Sequence, residues 1–315
     1  MKRPLFILAC IIVSISHKNF AQTESDGILM ENRNFCGGIM YSYNSFTDYW
    51  EGTFKRDNEN LGTVSNSSFA VMGNIGLPQR LNIIFSLPYI KTKASAGTLT
   101  GMSGLQDLSV FAKWKFLEKN INNDNQFGMF LVAGGSTPVS NYVADYLPLS
   151  IGLRSTTISG RLLADYQWKN WFITASGNYI YRNNITIDRN SYYTDKMIYS
   201  DEVFMPNVFS TKTGLGYRKG DLIIEGVFDT WRTLGGFDIR KNDMPFPSNK
   251  MSMTRAGINL KIPVKPVSGL SIVANSFYTL DGRNAGQTTS FSAGLFYVLI
   301  YKKDKASSTP SEPVK

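Results

Sequence analysis

Apolar and polar residues alternate with a period of two over most of this chain. From 81 to 89 one face carries Leu81, Ile83, Phe85, Leu87 and Tyr89. From 106 to 116, Leu108, Val110, Ala112, Trp114 and Phe116 oppose Asp107, Ser109, Phe111, Lys113 and Lys115. From 158 to 168, Ile158, Leu162, Ala164, Tyr166 and Trp168 oppose Ser159, Arg161, Asp165 and Gln167. Residues 255–262 and 291–299 repeat the pattern. Successive side chains of a β-strand point to opposite faces, so this period predicts strands with one apolar and one polar side.

Such segments predict about twelve strands. They lie near 33–46, 66–76, 79–90, 105–117, 126–136, 153–168, 171–183, 207–218, 221–231, 251–262, 269–280 and 288–301. Most reach about 10–14 residues, against 5–6 in globular sheets, a length that suits a tilted bilayer crossing. Tight turns at 77–79, 169–170 and 219–220 join segments two to three, six to seven and eight to nine. The four-to-five and ten-to-eleven joins read as modest. The joins 47–65, 91–104, 137–152, 184–206, 232–250 and, shorter, 281–287 are long and polar. Short turns at one end and long loops at the other predict an all-β fold: a transmembrane antiparallel up-and-down barrel of about 12 strands (range 10–14), with both chain ends on the short-turn, periplasmic side. A secreted β-sandwich would need neither strands this long nor turns that alternate in length.

Composition sharpens this picture. Aromatics make up 13% of the chain, and charged residues only 18%, where soluble domains carry about 25%. Trp114, Phe116, Trp168, Trp171, Tyr217 and Tyr297 fall near short-turn ends. Tyr89, Tyr179, Tyr181, Tyr278 and Trp231 fall near long-loop ends. Two girdles of amphipathic rings are expected where a barrel meets the headgroups.

The first residues change the accounting. Lys2 and Arg3, the apolar run 5–15, the polar His17-Lys18-Asn19 and then Phe20-Ala21-Gln22 predict a cleaved signal peptide, 1–21. A spanning helix would take about 20 apolar residues. Cleavage removes Lys2, Arg3 and Lys18 and no acid, taking the net charge from +9 to +6. It also removes His17 and Cys10, leaving Cys36 as the only cysteine and no histidine. An internal disulfide, a His/Cys zinc site and Ser-His-Asp or Cys-His catalysis are thereby excluded. Asp195, Asp201 and Glu202 would need a defined separation for glycoside chemistry. No enzyme activity, cofactor or metal is expected.

Two stretches carry a family resemblance. Gly76-Leu77-Pro78-Gln79-Arg80-Leu81-Asn82-Ile83-Ile84-Phe85-Ser86-Leu87-Pro88-Tyr89 resembles a YGLTDRLTLSVSLPYV pattern. Ser103-Gly104-Leu105-Gln106-Asp107-Leu108-Ser109-Val110-Phe111-Ala112-Lys113-Trp114 resembles SGLGDLSLGAKYRL. Gly134-Gly135-Ser136-Thr137-Pro138 resembles the LPTG end of the next strand. These are traits of the outer-membrane barrel family labelled "MetA-pathway of phenol degradation", distantly related to fatty-acid and aromatic-hydrocarbon transporters. The resemblance covers roughly 75–140, and the alternation extends it loosely to 301. It implies a passive outer-membrane channel or transporter for small hydrophobic or aromatic molecules. The contrasting reading is a non-transporting structural or adhesive surface barrel. The larger fatty-acid transporters carry an N-terminal hatch. Here the short segment 22–32 before a barrel at 33–301 looks too brief for a folded plug, so closure is expected from loops or inward side chains. The Pro/Ser-rich tail 302–315 is expected to be a disordered periplasmic extension.

Function would then lie on the inward faces. The alternation places Asp107, Lys113, Lys115, Arg161, Asp165, Arg182, Lys212, Glu225, Asp229, Arg255, Asn259 and Lys261 in the lumen, with Phe111, Leu163, Phe172, Val227 and Trp231 as inward apolar residues. Seven of these are basic and four acidic. They form either a charged constriction that favours anions or pairs that hold a narrow lumen shut. Loop clusters 47–51 and 192–199 offer an external patch, or rings packed on one another. The expected partners are outer-membrane lipid and lipopolysaccharide, the barrel-assembly machinery and a small-molecule solute, with no nucleic acid. The expected location is the Gram-negative outer membrane, reached by the general secretory route.

Overall fold

The computed structural model describes residues 23–122, 124–241 and 243–300. The expected signal peptide (1–21) and polar tail (302–315) lie outside these residues. Twelve long strands follow in chain order: β1 Asn34–Phe46, β2 Val64–Leu77, β3 Leu81–Ala94, β4 Asp107–Asn122, β5 Asn125–Pro138, β6 Thr157–Trp168, β7 Trp171–Arg182, β8 Val208–Lys219, β9 Leu222–Thr233, β10 Ser252–Pro263, β11 Leu270–Arg283 and β12 Thr289–Ile300. Each pairs antiparallel with its chain neighbour. β1 also pairs with β12, from Asn34↔Ile300 to Ser45↔Thr289, which closes the barrel. In hydrocarbon an unpaired backbone N–H or C=O has no water to turn to, so only a sheet without edges is stable there.

The period-two pattern sorts side chains as expected, but inverted relative to a soluble protein. Ile39, Phe69, Ile158, Leu215, Ile258 and Leu295 face outward and are exposed, whereas Asn82, Lys113, Thr174 and Glu225 are buried inside. Exposed Trp114, Trp168, Trp171 and Tyr297 lie near the short-turn ends, and Tyr89, Tyr179, Tyr181 and Tyr278 near the loop ends. Trp171 meets Tyr217 edge-on at 5.5 Å across β7 and β8. Trp231 leaves this set. It points inward, with the Arg182 guanidinium 5.2 Å over its ring.

All twelve expected strands are present, with shifted ends. β3 runs on to Ala94 because Lys91-Thr92-Lys93 still pairs with β2 above the apolar band. β4 and β5 stay paired as far as Asn122↔Asn125, where a modest loop was expected, and extend as a polar ladder past the short-turn girdle. β6 starts at Thr157, later than expected, because the residues before it belong to a folded loop. Left-handed backbone at Gln79, Arg80, Lys169 and Gly220 makes the other tight turns. One seam is interrupted: β3 pairs β4 from Leu81↔Trp114 to Ser86↔Ser109, and pairing resumes with residues 103–105 from Tyr89↔Leu105 to Lys91↔Ser103. There Pro88 has no N–H to give, and its carbonyl accepts from Gln106 N at 2.9 Å.

The long loops fold over one mouth. Loop 139–156 dips inward: Leu149 and Ile151 are buried, and Thr92 Oγ1 donates to Leu149 O at 2.6 Å. The Tyr142 hydroxyl donates to Asp107 Oδ1 at 2.6 Å and accepts from Arg154 N at 3.0 Å. Burial, with the Asp107 carboxylate, pushes that hydroxyl well above its ordinary value, so it remains a donor. A second apolar cluster, Ala144, Ile185, Ile187, Val203 and Met205, ties this loop to loop 183–207. Asn284 joins three further segments. Its Oδ1 accepts from Gly52 N and Ile239 N, and its Nδ2 donates to Asp238 Oδ1 and Lys250 O.

Candidate functional site

The site is the lumen, and its main feature is the segment expected to be too short to matter. At the start of β1 the chain reverses. Arg33 is left-handed at φ 63°, and Asn34 N donates to Glu31 O at 3.2 Å. This turn sends residues 30 to 23 back inside the barrel at its short-turn end. A compact plug needs few residues if the lumen supplies its hydrogen bonds, and that is the physical reason the expectation from length fails.

Three inward side chains hold the segment. Lys113 on β4 is fully buried, and all three donors of its ammonium are used: Thr23 O at 2.9 Å, Asp26 O at 2.7 Å and Asp26 Oδ1 at 2.8 Å. Phe130 on β5 places its ring 5.3 Å from the same nitrogen. Asn82 on β3 acts as a substitute strand edge. Its Oδ1 accepts from Met30 N at 2.7 Å and its Nδ2 donates to Met30 O at 3.1 Å. Lys212 on β8 donates to Ser25 Oγ at 3.1 Å. Within the segment, Asp26 accepts from Ile28 N at 3.0 Å and Thr23 N at 2.6 Å. Burial alone would push the Asp26 carboxyl up. The Lys113 charge and hydrogen bonds override it and hold the group below its ordinary value. Apolar contacts finish the seating: Ile28 on Phe172 and Ile223, and Met30 on Cys36, Phe296 and Val298.

The remaining lumen residues occur mostly as pairs. Arg255 forks onto Asp229, with Nε–Oδ1 2.9 Å and Nη2–Oδ2 3.0 Å. Asp165 accepts from Thr174 Oγ1 at 2.7 Å and lies 3.4 Å from Arg218 Nη1. Glu225 accepts from Asn259 Nδ2 at 2.7 Å. Lys115 pairs with Glu118 at 2.5 Å, and Arg161 donates to Ser176 Oγ at 3.2 Å. Arg182 stacks over Trp231, Asp107 anchors Tyr142, and Lys261 is buried in the wall of the lower lumen. Leu163, Phe172 and Val227 are buried inside. Asp26, Asn82 and Arg218 were not among the expected residues. Arg218 shares the inward parity of Lys212 and was legible from it. Asp26 could have been suspected from Thr23-Glu24-Ser25-Asp26-Gly27, a capping cluster leading into Ile28-Leu29-Met30, which is not linker composition.

A chamber of about 390 Å³ lies just above the segment. Met40, Met72, Val273 and Phe296 from β1, β2, β11 and β12 make one wall apolar. Lys212, Glu225, Asp229 and Lys261 from β8, β9 and β10 make the other charged. Of the loop clusters, Trp50 is buried and Tyr192 stacks on Phe246 at 5.3 Å, so much of this aromatic surface packs on itself.

No family model matches the chain, and no curated protein matches it. Among solved structures, the chain is similar to the COG4313 outer membrane channel from Pseudomonas putida F1, with a TM-score of 0.68 and 12% identity over 91% of this chain and 100% of that one. The β domain of the Bordetella autotransporter BrkA gives a TM-score of 0.46 and 13% identity over 85% and 100%. The chain therefore has the fold of a Gram-negative outer-membrane β-barrel.

Proposed function

We propose that this protein is an outer-membrane channel for the passive passage of small hydrophobic or aromatic molecules, held shut here by its own N-terminal segment. The observation that carries this reading is the segment itself. It is a stretch outside the barrel wall, seated in the lumen by Lys113, Asn82 and Lys212, with a half-apolar chamber directly above. A barrel of purely structural use has no need for a buried lysine whose donors all grip a chain end. The chamber suits solutes with an apolar body and one polar group. The lumen-lining residues named above would form the path. Export by the general secretory route, loss of residues 1–21, insertion by the barrel-assembly machinery and contact with lipopolysaccharide complete the reading. The phenol-degradation family label belongs to it as well, on the motifs at 76–89 and 103–114.

The test is planar-bilayer conductance and liposome uptake of phenol, toluene and an aliphatic solute. Full-length protein is compared with a variant lacking residues 22–31. The truncated barrel is expected to conduct more and to take up the aromatic solutes faster. A truncated barrel that inserts yet neither conducts nor admits solute would instead be a non-transporting surface barrel.

A further inference from the structure

A second chamber of about 290 Å³ lies on the loop side of the first. Apart from Arg255 its described lining carries no ionised side chain: Asn44, Asn66, Thr92, Thr279 and Ser290 supply neutral amides and hydroxyls beside Phe46, Val64 and Met253. Among the described residues lining the two chambers, Arg255 alone lines both. Three features hold it at that position. The β10–β11 ladder shifts register between Thr254 and Arg255, an irregularity that re-aims a side chain. Asp229 stands directly opposite on β9 and binds Nε and Nη2 as a fork. The Phe277 ring lies 5.4 Å from the guanidinium carbon. A long side chain is thus fixed across the junction by a partner that cancels its charge.

We propose that the Arg255–Asp229 pair is the shutter and charge filter between the two chambers. This rests on the reading of the lumen as a solute path. While paired, the two groups present no net charge, so uncharged solutes pass from the upper chamber to the lower one as the fork swings aside. Asp229→Asn leaves an uncancelled cation at the junction and favours anions. Arg255→Ala removes the obstruction and leaves a carboxylate that favours cations.

Thiol accessibility tests this with the N-terminal segment in place. In a Cys36→Ser background, Met40→Cys reports on the lower chamber and Ser290→Cys on the upper. Proteoliposomes are treated from outside with a membrane-impermeant anionic or cationic methanethiosulfonate. Arg255→Ala is expected to speed labelling at Met40→Cys severalfold while leaving Ser290→Cys unchanged. Asp229→Asn keeps the arginine, so it is a second reading that does not depend on removing it. There the anionic reagent should gain about tenfold over the cationic one at Met40→Cys. Equal rates at Met40→Cys in all three backgrounds, or rates that rise together in both chambers, overturn the proposal. Labelling does not require conduction. A failure here is therefore distinct from a truncated barrel that stays silent in a bilayer.

Discussion

Lys113 is an unusual residue to find fully buried, since an ammonium leaves water only if every donor is engaged. Its grip on Thr23 and Asp26 makes it the residue on which the proposed closed state turns. Lys113→Met strands the Asp26 carboxylate inside the lumen, and removing one partner of a buried pair costs roughly 3–5 kcal/mol. The segment should then leave, and conductance should rise toward that of the truncated barrel. The double variant Lys113→Met/Asp26→Asn should lose less, because no charge is left unpaired. Acid acts on the same contact. Asp26 sits below its ordinary value in the folded state, so its contribution is complete above about pH 4 and is lost as the pH falls through the lower, folded value. Hydrogen exchange at the Ile28 and Met30 amides is expected to stay slow at neutral and mildly acidic pH and to quicken only below about pH 4. Quickening near pH 6 would assign the latch to some other group.

At the scale of the strand, two faces answer to two solvents. Ile258 lies midway along β10 and faces lipid, with 54% of its surface exposed. Ile258→Arg should destabilise the barrel by about 2–4 kcal/mol in a urea titration in bilayers, the cost of a cation near the midplane. The same exchange on the lumen side would perturb selectivity rather than stability. The β3–β4 seam is interrupted. Its ladder breaks after Ser86↔Ser109 and resumes at Tyr89↔Leu105, and Pro88 lacks a donor in the gap. Amides of Leu87, Asp107 and Leu108, in the gap of this ladder, are expected to exchange faster than those of β1 and β2, which pair along their full length. Uniform protection around the barrel would refute this. Strand number and spacing were legible because period-two alternation survives in every strand. Strand ends were not, since polar stretches such as 118–122 and 125–128 keep pairing after the apolar face has ended.

The whole molecule is a closed sheet, which should show as heat-modifiable migration on a denaturing gel: faster before boiling than after. Identical migration would count against closure. Both mouths are narrowed, one by the 23–33 segment and the other by the inward loop 139–156. Neither arrangement follows from alternation, because both join residues far apart in sequence. Lys113 meets Asp26 across 87 positions, and Thr92 meets Leu149 across 57.

By itself the sequence determined the barrel, its strand count and the faces of its strands. These rest on a local rule, that neighbouring side chains on a strand point opposite ways, and local rules can be read one residue at a time. Only the tertiary structure decided which inward charges meet and that a ten-residue segment can fill the lumen. It also showed that Arg255 lines two chambers. Each of those depends on bringing distant strands within hydrogen-bond reach, where burial makes pairing obligatory and the partner is chosen by geometry rather than by sequence position.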